Sequence, residues 1–166
     1  MIIRDENPGD IQAIHDLTMA AFENHPISRQ TEQFIVKALR DAGALSISLV
    51  AEVGGQVVGH IAFSPVTISD GTENWYGCGP FSVLPEHQRR GFGKALLAEG
   101  LAELRKLGGK GCALVGDPNY YSRFGFKNYP ELIHEGVPPE VFLVLPFTDE
   151  VPEGKVVFHG GFQADG

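Results

Sequence analysis

Apolar residues recur along the first forty positions at helical spacing and then switch to the density of strands. Ile2-Ile3-Arg4 predicts a short strand, and the turn Asn7-Pro8-Gly9-Asp10 leads into a helix with Ile11, Ile14, Leu17 and Ala21 on one side. Ile35, Ala38, Leu39 and Ala42 mark a second helix, closed by Gly43. The β-branched stretches Leu45–Val53 and Gln56–Thr67 flank Gly54-Gly55, a two-residue hairpin signal. Ser69-Asp70-Gly71 then turns the chain into Trp75–Val83, the third strand of an antiparallel meander.

Helical spacing returns from Gly91 to Leu107, where Leu97, Leu101 and Leu104 lie a turn apart and Gly108-Gly109 ends the run. Cys112-Ala113-Leu114-Val115 is wholly apolar, as suits a strand covered on both faces. Asp117-Pro118 predicts a brief helix ending near Phe124-Gly125, because the carboxylate can accept from a free N–H while the proline has none to lose. Phe126–Pro130, Val141–Phe147 and Lys155–Phe158 are further strand candidates. No repeat, low-complexity stretch or long linker divides the chain. The pattern therefore predicts an α/β (α+β) fold in a single domain over residues 1–166.

Composition narrows the function classes. The chain carries 13 basic and 21 acidic residues, so its formal charge is 13 − 21 = −8, without the cationic clusters that phosphate backbones require. Nucleic acid is therefore not an expected partner. Cys78 and Cys112 cannot build a disulfide framework and sit in apolar stretches, which predicts reduced thiols and a cytoplasmic location. The first residues lack a signal-peptide layout, and the run Val141–Phe147 is far short of the ~20 apolar residues that span a bilayer. A membrane is not expected either.

The chemistry concentrates between Val83 and Leu96. A strand ends, Pro85 interrupts it, and Gly91 and Gly93 open a helix whose first N–H groups can approach an anion closely. Arg89, Arg90 and Lys94 supply a local positive spot that the whole chain lacks. Two familiar glycine motifs fail: Leu96 stands where a Rossmann fingerprint has its third glycine. A Walker A loop would need glycine at His87 and a hydroxyl at Ala95. Taken by themselves, the two glycines also fit a tight turn beside a solvated pair of arginines.

Gln88-Arg89-Arg90-Gly91-Phe92-Gly93 resembles the acetyl-CoA-binding motif Gln/Arg-x-x-Gly-x-Gly/Ala of the GNAT superfamily of N-acetyltransferases, at every fixed position. Upstream, Gly79-Pro80-Phe81-Ser82-Val83-Leu84-Pro85 looks like the strand that precedes that motif. Downstream, Gly116-Asp117-Pro118-Asn119-Tyr120-Tyr121-Ser122-Arg123-Phe124-Gly125-Phe126 resembles the family's second motif. That wording, with Gly59-His60-Ile61-Ala62-Phe63-Ser64-Pro65-Val66, is similar to the YhbS-like bacterial branch of predicted acetyltransferases. The resemblance covers residues 1 to about 147. It implies a mixed, mostly antiparallel central sheet flanked by helices and splayed between the strands ending near Val83 and Val115.

The resemblance further implies direct, sequential transfer of acetyl from acetyl-CoA, the acyl-donor cosubstrate, to a primary amine on a small molecule or a protein, with no metal. Gln88, Arg89, Arg90, Gly91, Phe92, Gly93 and Lys94 would take the pyrophosphate, largely through backbone N–H groups. The backbone near Phe81, Ser82 and Val83 would hold the pantetheine arm and steady the oxyanion, and Asn119, Tyr121 and Phe124 would complete the cofactor contacts. Tyr121 stands at the position of the family's general acid; a phenol near ~10 can protonate a thiolate whose conjugate acid lies near ~8.5. Family members are often dimers, so a homodimer is also implied.

An ammonium near ~10.4 must lose a proton before attack. Glu32, near the start of the second helix, and His60, mid-strand, are the leading base candidates, with Glu23 and His25 behind them. Glu32 also fits dipole compensation, and His60 a structural histidine. Cys78 as an acyl carrier would need a histidine beside it, and none is placed there by the sequence. From a different class, a catalytically silent CoA-binding regulatory or interaction module fits the same motifs, although it has no use for the acid at Tyr121.

Overall fold

The computed structural model describes all 166 residues, Met1–Gly166. In chain order the elements are β1 (Ile2–Asp5), α1 (Ile11–Phe22), α2 (Glu32–Asp41), β2 (Ile47–Val53), β3 (Gln56–Ile68) and β4 (Trp75–Val83). They continue with α3 (Phe92–Lys106), β5 (Gly111–Val115), α4 (Pro118–Tyr121), β6 (Leu132–Ile133), β7 (Phe142–Pro146) and β8 (Gly154–Phe158). The sheet runs β1-β2-β3-β4-β5-β7 and is antiparallel except where β4 meets β5. Gly54 and Gly55 take φ of +56° and +81°, the left-handed pair that a tight hairpin between β2 and β3 requires.

The parallel contact shapes the middle of the molecule. β4 and β5 pair only from Trp75 to Gly77 against Gly111 to Ala113. Beyond that point β4 stays with β3 as far as Val83 and β5 stays with β7 as far as Val115, so the sheet splays open between them. β4 also carries a bulge: Ile61 faces Phe81 and Phe63 faces Cys78, leaving Gly79 and Pro80 opposite Ala62 alone. Such an extra residue bends a strand and re-aims the side chains beyond it, here just past the point where β4 and β5 part.

α3 packs Leu96, Leu97, Leu101 and Leu104 against Ile47, Leu49, Ile61 and Phe63 on one face of the sheet. Gly100 lets this helix come close, since a Cβ there would stand 2.7 Å from Phe63 Cζ. On the other face Ile14 of α1 and Val36 of α2 cover Val50. The buried stripe of α1 begins a turn later than its spacing predicts, at Ile14, while Ile11 is 42% exposed.

One C-terminal expectation changes. Phe126–Pro130 is not a strand; it makes one bridge, Lys127 with Val144, and then turns away. Asn128 spends its side-chain amide on the carbonyls of Pro139 and Phe142, and Pro130 has no N–H for a ladder. β8 confirms the strand expected at Lys155–Phe158, but its partners lie far back in the chain: Val66–Ile68 of β3 on one side and the unanticipated β6 on the other.

Candidate active site

The link from β4 to α3 is held in a conformation that exposes its N–H groups. Gln88 Nε2 donates to the carbonyl of Val83 at 3.1 Å, and Arg89 and Gly91 adopt φ of +64° and +89°. Gly91 caps the 15-residue α3 with no side chain on its first free N–H groups, where the helix dipole favours negative charge. A cavity of about 640 Å³ lies over this turn, lined by Phe81, Val83, His87, Gln88, Arg89, Gly91, Gly93, Lys94, Tyr120 and Arg123. Its charged lining is wholly cationic. Gly93 leaves room for the Tyr120 hydroxyl, which would stand 3.3 Å from a Cβ at that position.

A second cavity, about 830 Å³, fills the splay and shares Phe81, Val83, Gln88 and Tyr120 with the first. Cys78 to Val83 form one wall and Leu114 to Asp117 the other, with Tyr121 between. Phe22, His25, Glu32, Ile35, Phe158 and Phe162 also line it. Beyond Gly77 β4 has no strand partner on this side, so backbone groups facing the gap are free for a ligand. No Lys or Arg lines this cavity, whose fixed charges are Glu32 and Asp117. The two connected cavities therefore have opposite polarity.

Local packing sets the side chains of the splay. Asp117 accepts from the N–H of Asn119 at 2.9 Å and starts α4, and the Tyr121 ring rests on Gly116, where a Cβ would lie 3.0 Å from Cδ2. Burial raises the Tyr121 phenol well above its ordinary value, so it is protonated at neutral pH. Burial likewise pushes the Cys78 thiol up to about 12, which keeps it unreactive. Ser28 Oγ lies 2.7 and 2.9 Å from the two carboxylate oxygens of Glu32 and fixes that side chain at the cavity edge. No group of three or more His, Cys, Asp or Glu side chains converges in a way that could hold a metal ion.

His60 lies elsewhere, which corrects its candidacy as a base. Its cross-strand partners are Val50 and Ser82, it is 0% exposed, and it lines neither cavity. Its Nε2 sits 2.8 Å from Ser48 Oγ. Ser48 and Arg40 in turn both bond Glu6, which offsets the effect of burial and holds that carboxyl below its usual range. Burial drives the His60 pKa down to about 4. It is a neutral core histidine.

Of the other candidates, Glu23 is exposed and outside both cavities, whereas His25 lines the second. Arg90, Phe92, Asn119 and Phe124 line neither. Phe92 packs on His87 and Phe124 on Tyr120, with ring centroids 5.9 and 5.5 Å apart, so both stand behind lining residues. Sequence reasoning missed His87, Tyr120 and Arg123. A signal existed for the last two: Tyr120 and Arg123 are three residues apart on a short helical segment, and the guanidinium lies 5.3 Å from the ring centroid.

The model of the acetyltransferase (GNAT) family matches residues 11–126. The chain belongs to the GNAT family. Within it, the chain is 38% identical to the uncharacterised N-acetyltransferase YhbS of Escherichia coli over 128 residues, covering 76% of this chain and 74% of that one. A GNAT acetyltransferase from Brucella melitensis, solved in complex with acetyl-CoA, superposes with a TM-score of 0.87 at 49% identity over 97% of both chains. Escherichia coli YhbS, solved with CoA, superposes with a TM-score of 0.90 at 33% identity over 99% of this chain and 93% of that one. The splayed sheet is thus the GNAT fold, and the YhbS-like wording of the motifs corresponds to a true relative.

Proposed function

We propose that residues 1–166 act as one domain that transfers the acetyl group of acetyl-CoA directly to a primary amine. The observation carrying this reading is the continuity of the two cavities: a cationic cradle at the start of α3 leads into a splay that contains a protonated tyrosine and ends at a carboxylate. Relatives solved with acetyl-CoA and with CoA support the choice of donor.

The residues present fit that donor. The free N–H groups after Gly91, with Arg89, Lys94 and Arg123, suit a pyrophosphate. The unpartnered edge of β4 from Cys78 to Val83 suits an extended amide-bearing arm, which would take the place of a strand. Acetyl-CoA supplies the activated acyl group. Glu32 takes the proton that the ammonium must lose, directly or through water; the amine nitrogen then bonds the acyl carbon as its bond to sulfur breaks. The Tyr121 hydroxyl gives its proton to the departing thiolate and regains one, through solvent, as the nitrogen sheds its second proton on becoming an amide. Burial keeps the Tyr121 hydroxyl in its protonated form, the form that can donate. Cys78, kept protonated by burial, has no part as an acyl carrier.

The test is calorimetric titration with acetyl-CoA and with ATP, then thiol release over an amine panel. Saturable acetyl-CoA binding with amine-dependent thiol release is expected. Binding without turnover would favour a silent CoA-binding module, and ATP binding alone would overturn the reading.

A further inference from the structure

Part of the splay cavity is lined by segments that the donor does not need. The end of α1 contributes Phe22, α2 contributes Ile35, and the C-terminal segment adds Phe158 and Phe162. The C-terminal pair is held firmly. β8 pairs with β3, and the Phe158 ring is lodged against Gly77, where an added Cβ would stand 2.5 Å from Cδ1. Gly77 is also the last β4 residue that pairs with β5, so Phe158 is seated at the root of the splay. Phe162 lies 5.2 Å from it and His134 4.7 Å, ring centroid to centroid.

This wall meets one kind of charge. Its carboxylates are Glu32, bonded by Ser28 Oγ, and Asp117, which accepts from Asn119 at the start of α4, and no Lys or Arg lines the cavity. A cation with an apolar body satisfies both features. An amino acid would bring its carboxylate to a site with no fixed cation, and a polyamine would bring several ammonium groups to a lining that offers, beyond Glu32, only Asp117, which already accepts from the Asn119 N–H.

Resting on the acetyl-transfer reading above, we infer that the acceptor is an arylalkyl or alkyl monoamine without a carboxylate. Its apolar body lies against Phe22, Ile35, Phe158 and Phe162, and its ammonium is drawn in by Glu32. The same contacts assign a function to the C-terminal segment: β8 and the turn after it form the acceptor wall.

The test compares kcat/KM at saturating acetyl-CoA for 2-phenylethylamine, hexylamine, spermidine, phenylalanine and a lysine-containing peptide. It is paired with calorimetric binding of 2-phenylethylamine to the protein–CoA complex. The aryl and alkyl monoamines should exceed the other three by roughly ten-fold or more, the scale on which an apolar pocket discriminates. Phe162→Ala should erase most of that advantage and weaken 2-phenylethylamine binding while leaving acetyl-CoA affinity unchanged. Phe162 lies in the terminal turn, so this variant does not remove the buttress at Gly77; Phe158→Leu gives a second, milder change in the same wall. Preference for spermidine, phenylalanine or the peptide, or equal rates throughout, overturns the acceptor class and leaves acetyl transfer standing. Acetyl-CoA binding with no amine consumed and no 2-phenylethylamine bound overturns both, and the calorimetry separates that outcome from a misfolded sample.

Discussion

Gly116→Ala isolates the position of Tyr121 without touching its hydroxyl. The added Cβ would stand 3.0 Å from Tyr121 Cδ2 and nearer still to Cε2. Carbon atoms in ordinary contact stay about 3.5–4.0 Å apart, so the ring must retreat by about 1 Å. Gly116 has no positive φ, and the methyl group adds no backbone strain at this site. Displacing a catalytic group by about 1 Å can cost about 10²-fold, while losing general acid catalysis costs roughly 10²–10⁴-fold. The expected result is a fall in kcat of about 10²-fold, approaching that of Tyr121→Phe, with acetyl-CoA affinity close to wild type because the cradle at Gly91 and Arg89 is untouched. The assay is steady-state thiol release with calorimetric binding of acetyl-CoA on the same preparations. An unchanged kcat in Gly116→Ala would refute the claim that Tyr121 acts from this position, and an unchanged kcat in Tyr121→Phe would remove the acid altogether.

Other variants probe the rest of the molecule. Asn tolerates the left-handed conformation of Gly91 at φ +89°, so Gly91→Asn should bind acetyl-CoA measurably while the isosteric Gly91→Asp, placing a like charge in the cradle, should bind at least about ten-fold more weakly; equal affinities by calorimetry would argue against a phosphate there. Arg123→Ala should weaken acetyl-CoA binding several-fold and reduce its salt dependence, and an unaltered salt response would exclude Arg123 from phosphate contact. His60 is held near pKa 4 when folded against 6.5 when exposed, so the unfolded state binds the extra proton. Stability present above pH 6.5 is then lost as the pH falls toward 4, by about 3 kcal/mol at ~1.4 kcal/mol per pH unit. Urea unfolding at pH 7, 5.5 and 4 reads this directly, and His60→Gln should flatten the slope between pH 6.5 and 4.5. Cys78→Ala should retain turnover in the thiol-release assay, and its loss would revive a covalent route.

Features that depend on neighbours in the chain were readable from it. The glycine pair at 54 and 55, the limits of β4 at Trp75 and Val83, the Asp117-Pro118 start of α4 and the helix-opening glycines at 91 and 93 all express local backbone chemistry, and each stands where the pattern puts it. Features made by distant segments were not. His60 looked eligible as a base because nothing near it in sequence reveals that Ser48, Glu6 and Arg40 enclose it from 12 to 54 residues away. The role of Phe158 depends on β8 pairing with Val66–Ile68, some ninety positions earlier. Tyr120 and Tyr121 are adjacent yet part company: Tyr121 faces the splay alone, while Tyr120 borders both cavities. Successive residues on a helix point about 100° apart, so the two rings meet different walls.

In the proposed reaction, acetyl passes from acetyl-CoA to an amine without resting on the protein. Mass spectrometry of a mixture of enzyme, acetyl-CoA and 2-phenylethylamine, sampled within the first turnovers, reads this step without intermediaries. The expected products are N-acetylated amine and free CoA in equal amounts, with the protein at its unmodified mass throughout. An acetyl group on the protein that disappears as the amine is added, or free CoA without acetylated amine across aryl, alkyl, polyamine and peptide acceptors, would contradict direct transfer.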